Sequence, residues 1–486
     1  MELELKFAEL ACCEPVGDLV TTQEESMETA IPEYCPDIAR IVDTVGQLRL
    51  REKHPAGQQL TMGGSVVLTV LYTSEESAGL RSLSMEVPFS CQVEDKRLAD
   101  CDAVCVTGRL LLAEAKAVTA RKLYLRVMPE FTVSGYARRR QRLCCGTEED
   151  PALRVRRQEA ELELLTAVEE REFSFAQEVA PDGPPPEDVL MERTAARVEE
   201  CRRVGSRLVL KGQAEVCVLY RGENQELAAY RTALPFSQLL DGVELPEDAQ
   251  VEARIQWASS EIRVLRTENG PAFGITVTIC AALLVRRKQQ VSYIEDLYSL
   301  HHAAQVRRQE TPLPVAWQRD IPSQEAVQQL EFGQGRPFAY LTAAECSGVS
   351  TVQEGGGPAL RCTVRLRVLY LDESGTPVCA ERSAEVTAPA AWEPQMQITG
   401  STCRLSVPVR FEARRCLRRP VAAVTAVELQ DPPEGPQPSL ILRRMAEGET
   451  LWDIARQYRT DEEAIRAANE LTEDRPEGML LIPRVR

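Results

Sequence analysis

With 486 residues, the chain is long enough for three or four domains of ~100–200 residues each. Hydrophobic residues make up 44% and aromatics only 5%, so aliphatic cores are expected and broad aromatic stacking platforms are not. A formal net charge of −17 sets the chain against phosphate backbones and makes nucleic acid a poor partner.

The opening residues, Met1-Glu2-Leu3-Glu4-Leu5-Lys6, lack the basic stretch and apolar run of a signal peptide. The longest apolar run, Ile275 to Val285, is too short to span a bilayer. A soluble protein is expected, without membrane insertion, staying in the compartment where it is made. The 16 cysteines include no CxxC pair, and there are only three histidines (His54, His301, His302), so no metal or cofactor is expected. In a reducing compartment the thiols should be free and buried. Cys12-Cys13 and Cys144-Cys145 lie near predicted domain edges and are where an oxidising shell would act first.

In chain order, Pro36-Asp37-Ile38-Ala39-Arg40-Ile41-Val42 combines an early proline and acid with apolar i, i+3, i+4 spacing and predicts a short helix. Glu187-Asp188-Val189-Leu190 is its weaker counterpart. Three segments then share one alternating pattern ending in Val-Leu-Tyr: Val66–Tyr72, Ala214–Tyr220 and Val364–Tyr370, with the tyrosines 148 and 150 residues apart. A polar turn follows each, and then a second alternating run ending near proline: Val87-Pro88-Phe89, Leu234-Pro235-Phe236 and, more loosely, Ala388-Pro389. Each copy reads as a half-buried β-hairpin with further strands after it, such as Val104–Leu112 and Ile275–Val285. The basic runs Arg138-Arg139-Arg140 and Arg154/Arg156/Arg157 read as solvated faces or domain edges. Pro181-Asp182-Gly183-Pro184-Pro185-Pro186 is either a loop within the second copy or a linker. Asp431 to Pro438 is a stiff connector, because its prolines deny it helix and central strand.

The last 48 residues follow a different grammar. Leu440–Met445 reads as a strand and Glu447-Gly448-Glu449 as a turn. Thr450 reads as the N-cap of a helix over Leu451–Tyr458, striped by Leu451, Ile454, Ala455 and Tyr458. Thr460 or Asp461 caps a second helix that ends at Asn469, and Met479-Leu480-Leu481-Ile482-Pro483 closes a β-α-α-β order. The expected fold class is therefore mainly β, with three tandem β-rich domains (1–150, 151–305 and a divergent 306–430), a linker at 431–438 and a small α+β module at 439–486.

No phosphate-loop, dinucleotide, HExxH or GxSxG motif is present. Gly355-Gly356-Gly357 sits between strands and reads as a hairpin loop. With little general-base chemistry available from three histidines, no catalytic residues are assigned and a non-enzymatic binding protein is expected.

The C-terminal segment Glu447-Gly448-Glu449-Thr450-Leu451-Trp452-Asp453-Ile454-Ala455, with Tyr458, Asn469, Gly478 and Leu481-Ile482-Pro483, resembles the LysM family. The resemblance implies a shallow groove for N-acetylglucosamine glycans such as peptidoglycan, carried here by Gly448, Glu449, Thr450, Leu451, Gly478, Met479 and Leu480. Backbone amides and small side chains suit an acetamido group, which needs a donor, an acceptor and a methyl contact. Glu449 replaces the usual Asp and Glu477 the usual Pro, while Trp452 and Ile454 read as fold residues. Upstream, Ile31-Pro32-Glu33-Tyr34-Cys35-Pro36-Asp37-Ile38-Ala39-Arg40-Ile41-Val42, followed by Gly64-Ser65-Val66 and Val70-Leu71-Tyr72, resembles the SPOCS domain family of endospore formers. That resemblance covers most of residues 28 to 300. With a LysM end, it implies a scaffold of spore-coat assembly, cytoplasmic in the mother cell at the developing spore surface. Its partner would be a coat morphogenetic protein, reached through the LysM and β domains.

Overall fold

The computed structural model describes residues 2–76, 79–205, 207–242, 246, 248–268, 270–320, 323–328, 339–354, 357–372, 374–389, 393–398, 405–431, 440–471 and 478–483. The fold is mainly β, with two short helices near the C-terminus. The first unit contains β1 (Leu5–Thr22), β2 (Glu25–Ala30), β3 (Arg40–Ala56), β4 (Gln59–Thr73), β5 (Leu80–Glu94), β6 (Ala103–Thr119) and β7 (Lys122–Thr147). An antiparallel β3-β4-β5 meander forms one sheet. In the other, β1 and β2 lie in succession along one edge of β7, with β6 on its opposite edge.

The same plan recurs. The second unit has β8 (Leu153–Val179), β9 (Pro186–Val204), β10 (Arg207–Gly222), β11 (Leu227–Leu240), β12 (Ala249–Thr267) and β13 (Gly270–Ser299). The single long β8 takes the place of β1 and β2 along β13, and β9-β10-β11 repeats the meander. The third has β14 (Ala303–Asp320), β15 (Ser323–Gln328), β16 (Ala339–Glu354), β17 (Gly357–Leu371), β18 (Pro377–Pro389), β19 (Glu393–Ile398) and β20 (Leu405–Gln430), with β14 and β15 again in succession along β20. The Pro181–Pro186 stretch joins β8 to β9, with Pro186 opening β9, and so lies within one unit. There the Tyr220 hydroxyl donates to the Pro184 carbonyl at 3.1 Å and pins the loop. Of the Pro-rich connector only Asp431 is among the described residues, as is only Gly357 of the triple glycine, where it pairs with Glu354 at the β16–β17 hairpin.

The repeated motif is the middle strand of each meander. Along β4, Leu60, Met62, Val66, Leu68, Val70 and Tyr72 point into the first unit's own core, at the period of two that a strand imposes. Leu208, Leu210, Ala214, Val216, Val218 and Tyr220 do the same in the second. The leucine between valine and tyrosine faces the other way, yet Leu71, Leu219 and Leu369 are all 0% exposed. The three meet in one cluster with Leu80, Leu190, Met191 and Tyr340, so the contiguous Val-Leu-Tyr marks where a strand is covered on both faces. Two further cores are shared among the units. One gathers Leu10, Leu162 and Leu313, which occupy the same register position opposite Gln141, Gln289 and Arg419. The other gathers Leu3, Cys144, Ile294, Leu297, Val424 and Val427. Polar ties run beside them. Arg367 donates to buried Asp43 at 2.9 Å and to the Thr44 carbonyl at 2.7 Å, and the Trp317 indole donates to the Glu163 carbonyl at 3.1 Å.

Two expectations are corrected. Pro36–Ala39 is irregular rather than helical, β3 begins at Arg40, and Glu187–Leu190 belongs to β9. Helix is lost there because Ile31, Cys35 and Ile38 are buried in the core while the Arg121 guanidinium takes neighbouring acceptors, the Pro32 and Cys35 carbonyls at 3.0 and 3.2 Å and Asp37 at 2.6 Å. In the third copy β18 ends at Pro389, as expected of that run, while the residue standing where Pro88 and Pro235 pair with β4 and β10 is Glu385, opposite Thr363. The third unit also replaces a contact. In the first two, Gly64 and Gly212 lie beneath the rings of Phe89 and Phe236, and in the third the corresponding pair is Cys362 and Val386. A Cβ on Gly212 would stand 2.1 Å from the Arg197 carbonyl oxygen and 2.6 Å from the Phe236 ring. Gly212→Ala is therefore expected to destabilise the second unit by about 2 kcal/mol, read as a lower urea midpoint, because overpacking forces backbone to shift.

Candidate functional site

The C-terminal module comprises β21 (Leu440–Arg444), α1 (Leu451–Tyr458), α2 (Glu462–Ala468) and β22 (Met479–Pro483), with β21 and β22 antiparallel. Thr450 caps α1 through a reciprocal box. Its hydroxyl accepts from the Asp453 N–H, and Asp453 accepts from the Thr450 N–H at 2.9 Å and its hydroxyl at 2.6 Å. Burial pushes the Asp453 carboxyl up, but these hydrogen bonds, with Arg156 and Arg456 nearby, outweigh it and hold it below its ordinary value. Asp461 precedes α2 without a capping hydrogen bond. The neighbouring Thr460 hydroxyl instead donates to the Pro483 carbonyl. Asn469 does more than end α2. Its amide donates to the Ile465 and Leu481 carbonyls at 2.8 and 2.6 Å and accepts from the Leu481 N–H at 2.7 Å, sewing the helix end to the outer edge of β22.

The groove residues divide by burial. Gly448, Gly478 and Met479 are exposed, and no atom lies within 4 Å of where a Cβ would stand on either glycine. Gly448 has φ +82°, a conformation that suits glycine at the tip of the turn. Leu451 and Leu480 are each 2% exposed and pack with Ile454, Ala455, Ile465 and Ile482 in the module's core. Thr450 is committed to its cap, and Glu449 folds back. Its carboxylate takes Arg443 at 2.6 and 2.8 Å and the Ala446 N–H at 3.0 Å, fixing the turn to β21. The open rim is thus Gly448, Gly478 and Met479, with Glu477 outside the described residues.

Sequence reasoning missed a second face of the module. Trp452 lies off the apolar stripe of α1 and turns towards the second unit. Its ring meets Tyr298 edge-on at 4.9 Å, and its indole N–H donates to Asp296 at 2.8 Å. The Tyr298 hydroxyl donates to the Thr460 carbonyl at 2.8 Å, and Arg154 bonds Asp461 at 2.9 Å. The basic run at Arg154 and Arg156 therefore sits where the module docks. The available signal was a large aromatic off the stripe of a short helix.

The family comparison agrees with this geometry. Residues 446–477 match the LysM domain. No curated protein and no solved structure matches the chain. The module carries the support for a role in binding N-acetylglucosamine glycans.

Elsewhere, the described cysteines form no disulfides among themselves. Burial pushes Cys12 up to about 11 and Cys105, Cys201, Cys280 and Cys379 up to about 12, leaving little thiolate at neutral pH. Cys12, Cys13 and Cys144 lie in cores shared between units, whereas Cys145 is half-buried. Among the described residues, no three His, Cys, Asp or Glu side chains are grouped to hold a metal. No helix among the described residues is long and apolar enough to cross a membrane.

Proposed function

We propose that the chain is a non-enzymatic binding protein in which a body of three packed β units presents a LysM groove to N-acetylglucosamine glycan. The observation that carries this reading is the open rim of Gly448, Gly478 and Met479 on a module whose docking face lies elsewhere. Calorimetric titration of the full chain with N-acetylglucosamine oligomers tests it. Saturable binding is expected, and Met479→Asp should weaken it roughly tenfold, as the loss of one apolar contact of about 1.4 kcal/mol does. A folded chain that takes no oligomer sinks the glycan reading.

A second reading has its own support. Leu440, Leu442 and Met479 are 54%, 62% and 61% exposed on the outer face of the β21–β22 strand pair, an apolar surface suited to protein docking. Together with the SPOCS resemblance over most of residues 28 to 300, this favours a mother-cell scaffold of spore-envelope assembly that engages a coat morphogenetic protein. A fluorescent fusion that gathers at the forespore is the expected result, and one that stays diffuse throughout sporulation removes this reading.

A further inference from the structure

We propose that Asp296 is a latch holding the LysM module against the second and third units, and that opening it frees the module without unfolding it. Asp296 sits near the end of β13 at an irregularity in its pairing with β8, and its side chain is 4% exposed. Four donors converge on its carboxylate. One oxygen takes the Trp452 indole N–H at 2.8 Å and Arg456 at 3.0 Å, both from α1 of the module. The other takes the Leu297 N–H at 2.9 Å and Arg308 of β14, in the third unit, at 2.6 Å. One buried carboxylate thus joins three parts of the chain.

The contact has the composition of a latch. Its apolar part centres on Tyr298, which meets Trp452 and joins the module's core cluster, with Leu300 beside it, and the rest is charge and hydrogen bonding. A buried carboxylate stripped of all partners is strongly unfavourable, but undocking leaves Asp296 bonded to Arg308 and to the Leu297 N–H. The open state is therefore tolerated by the body. On the module's side Trp452 and Arg456 gain water, and Leu451, Ile454, Ala455, Ile465, Leu480 and Ile482 lose Tyr298 from their cluster but keep their contacts with one another. The eight residues between Asp431 and Leu440 reach up to about 25 Å when extended, so chain connection alone does not hold the module in place. Neither rim glycine nor Met479 takes part, so the latch sets where the groove stands and not its chemistry.

Small-angle scattering and amide exchange on the full chain test this. Wild type is expected to scatter as a single compact particle. Arg456→Gln and Asp296→Ala should raise the undocked fraction roughly ten- to hundredfold, the range of a lost charge-assisted hydrogen bond, and lengthen the particle. The Ile454 and Ile465 amides should stay protected. Should Asp296→Ala also expose those amides, Arg456→Gln, which leaves the Asp296–Arg308 pair intact, decides alone. A wild-type module already undocked, or scattering unchanged in Arg456→Gln, overturns the proposal.

Discussion

Leu162→Ala is expected to destabilise the body by about 4 kcal/mol, within the roughly 2–5 kcal/mol found for leucines truncated in closed cores. Leu162 is 0% exposed and meets Leu10 and Leu313, its counterparts in the other units, at 1% and 0% exposure. Leu143, Val291, Tyr293 and Val421 surround them, so the lost methyls are bordered by strands from three sheets that cannot all close in together. The cost therefore combines lost transfer energy with an unfilled cavity. Leu10→Ala and Leu313→Ala should behave alike, whereas Val20→Ala, at a position 63% exposed, should change little. Urea unfolding followed by two probes, one reporting each of two units, gives the measurement. The probes are expected to shift together, because the core belongs to all three units. A loss under about 1 kcal/mol, or one confined to the second unit, means that the units are independently stable and the shared core is incidental.

The threefold repetition was legible because strand pairing enforces a period of two, and one short signature sits at the same place in each meander. Leu71, Leu219 and Leu369 explain why that signature is contiguous, but their meeting involves residues about 150 apart and leaves no local trace. The misread helix had a local cause. Ile38 and Ile41 have helical spacing, yet one anchors a loop and the other enters β3, and Arg121, distant in sequence, supplies the bonds that settle it. In the third copy Glu385 stands in the proline's place and Cys362 with Val386 in that of glycine with phenylalanine, so its register was visible only through pairing. The LysM module was read almost element by element, since its caps, turns and stripe are local. Its docking was not, because Asp296 and Tyr298 come from a strand more than 150 residues away from Trp452.

Charge gives the second large effect. Glu192 lies on β9 opposite Val218, largely buried where the second unit meets Arg49 of the first. Burial pushes its carboxyl up from 4.5 to about 7, with Glu261 adding to the rise while Arg49 and the Ile262 N–H oppose it. The folded chain thus holds a proton that the unfolded chain releases near its ordinary value. Stability falls as pH rises between the two values, because there the native state binds more protons, and above about 7 the whole penalty is present. A shift from 4.5 to about 7 corresponds to about 3 kcal/mol at 1.36 kcal/mol per unit. Glu192→Gln keeps the shape and removes the charge. It should stabilise the chain by up to that amount at pH 8 and by almost nothing at pH 4, with the difference opening between. Urea midpoints of both proteins across that range measure it. A gain that is the same at pH 4 and pH 8 would mean that the carboxyl titrates alike in the folded and unfolded chain, so that burial at the junction between the first two units imposes no charge penalty.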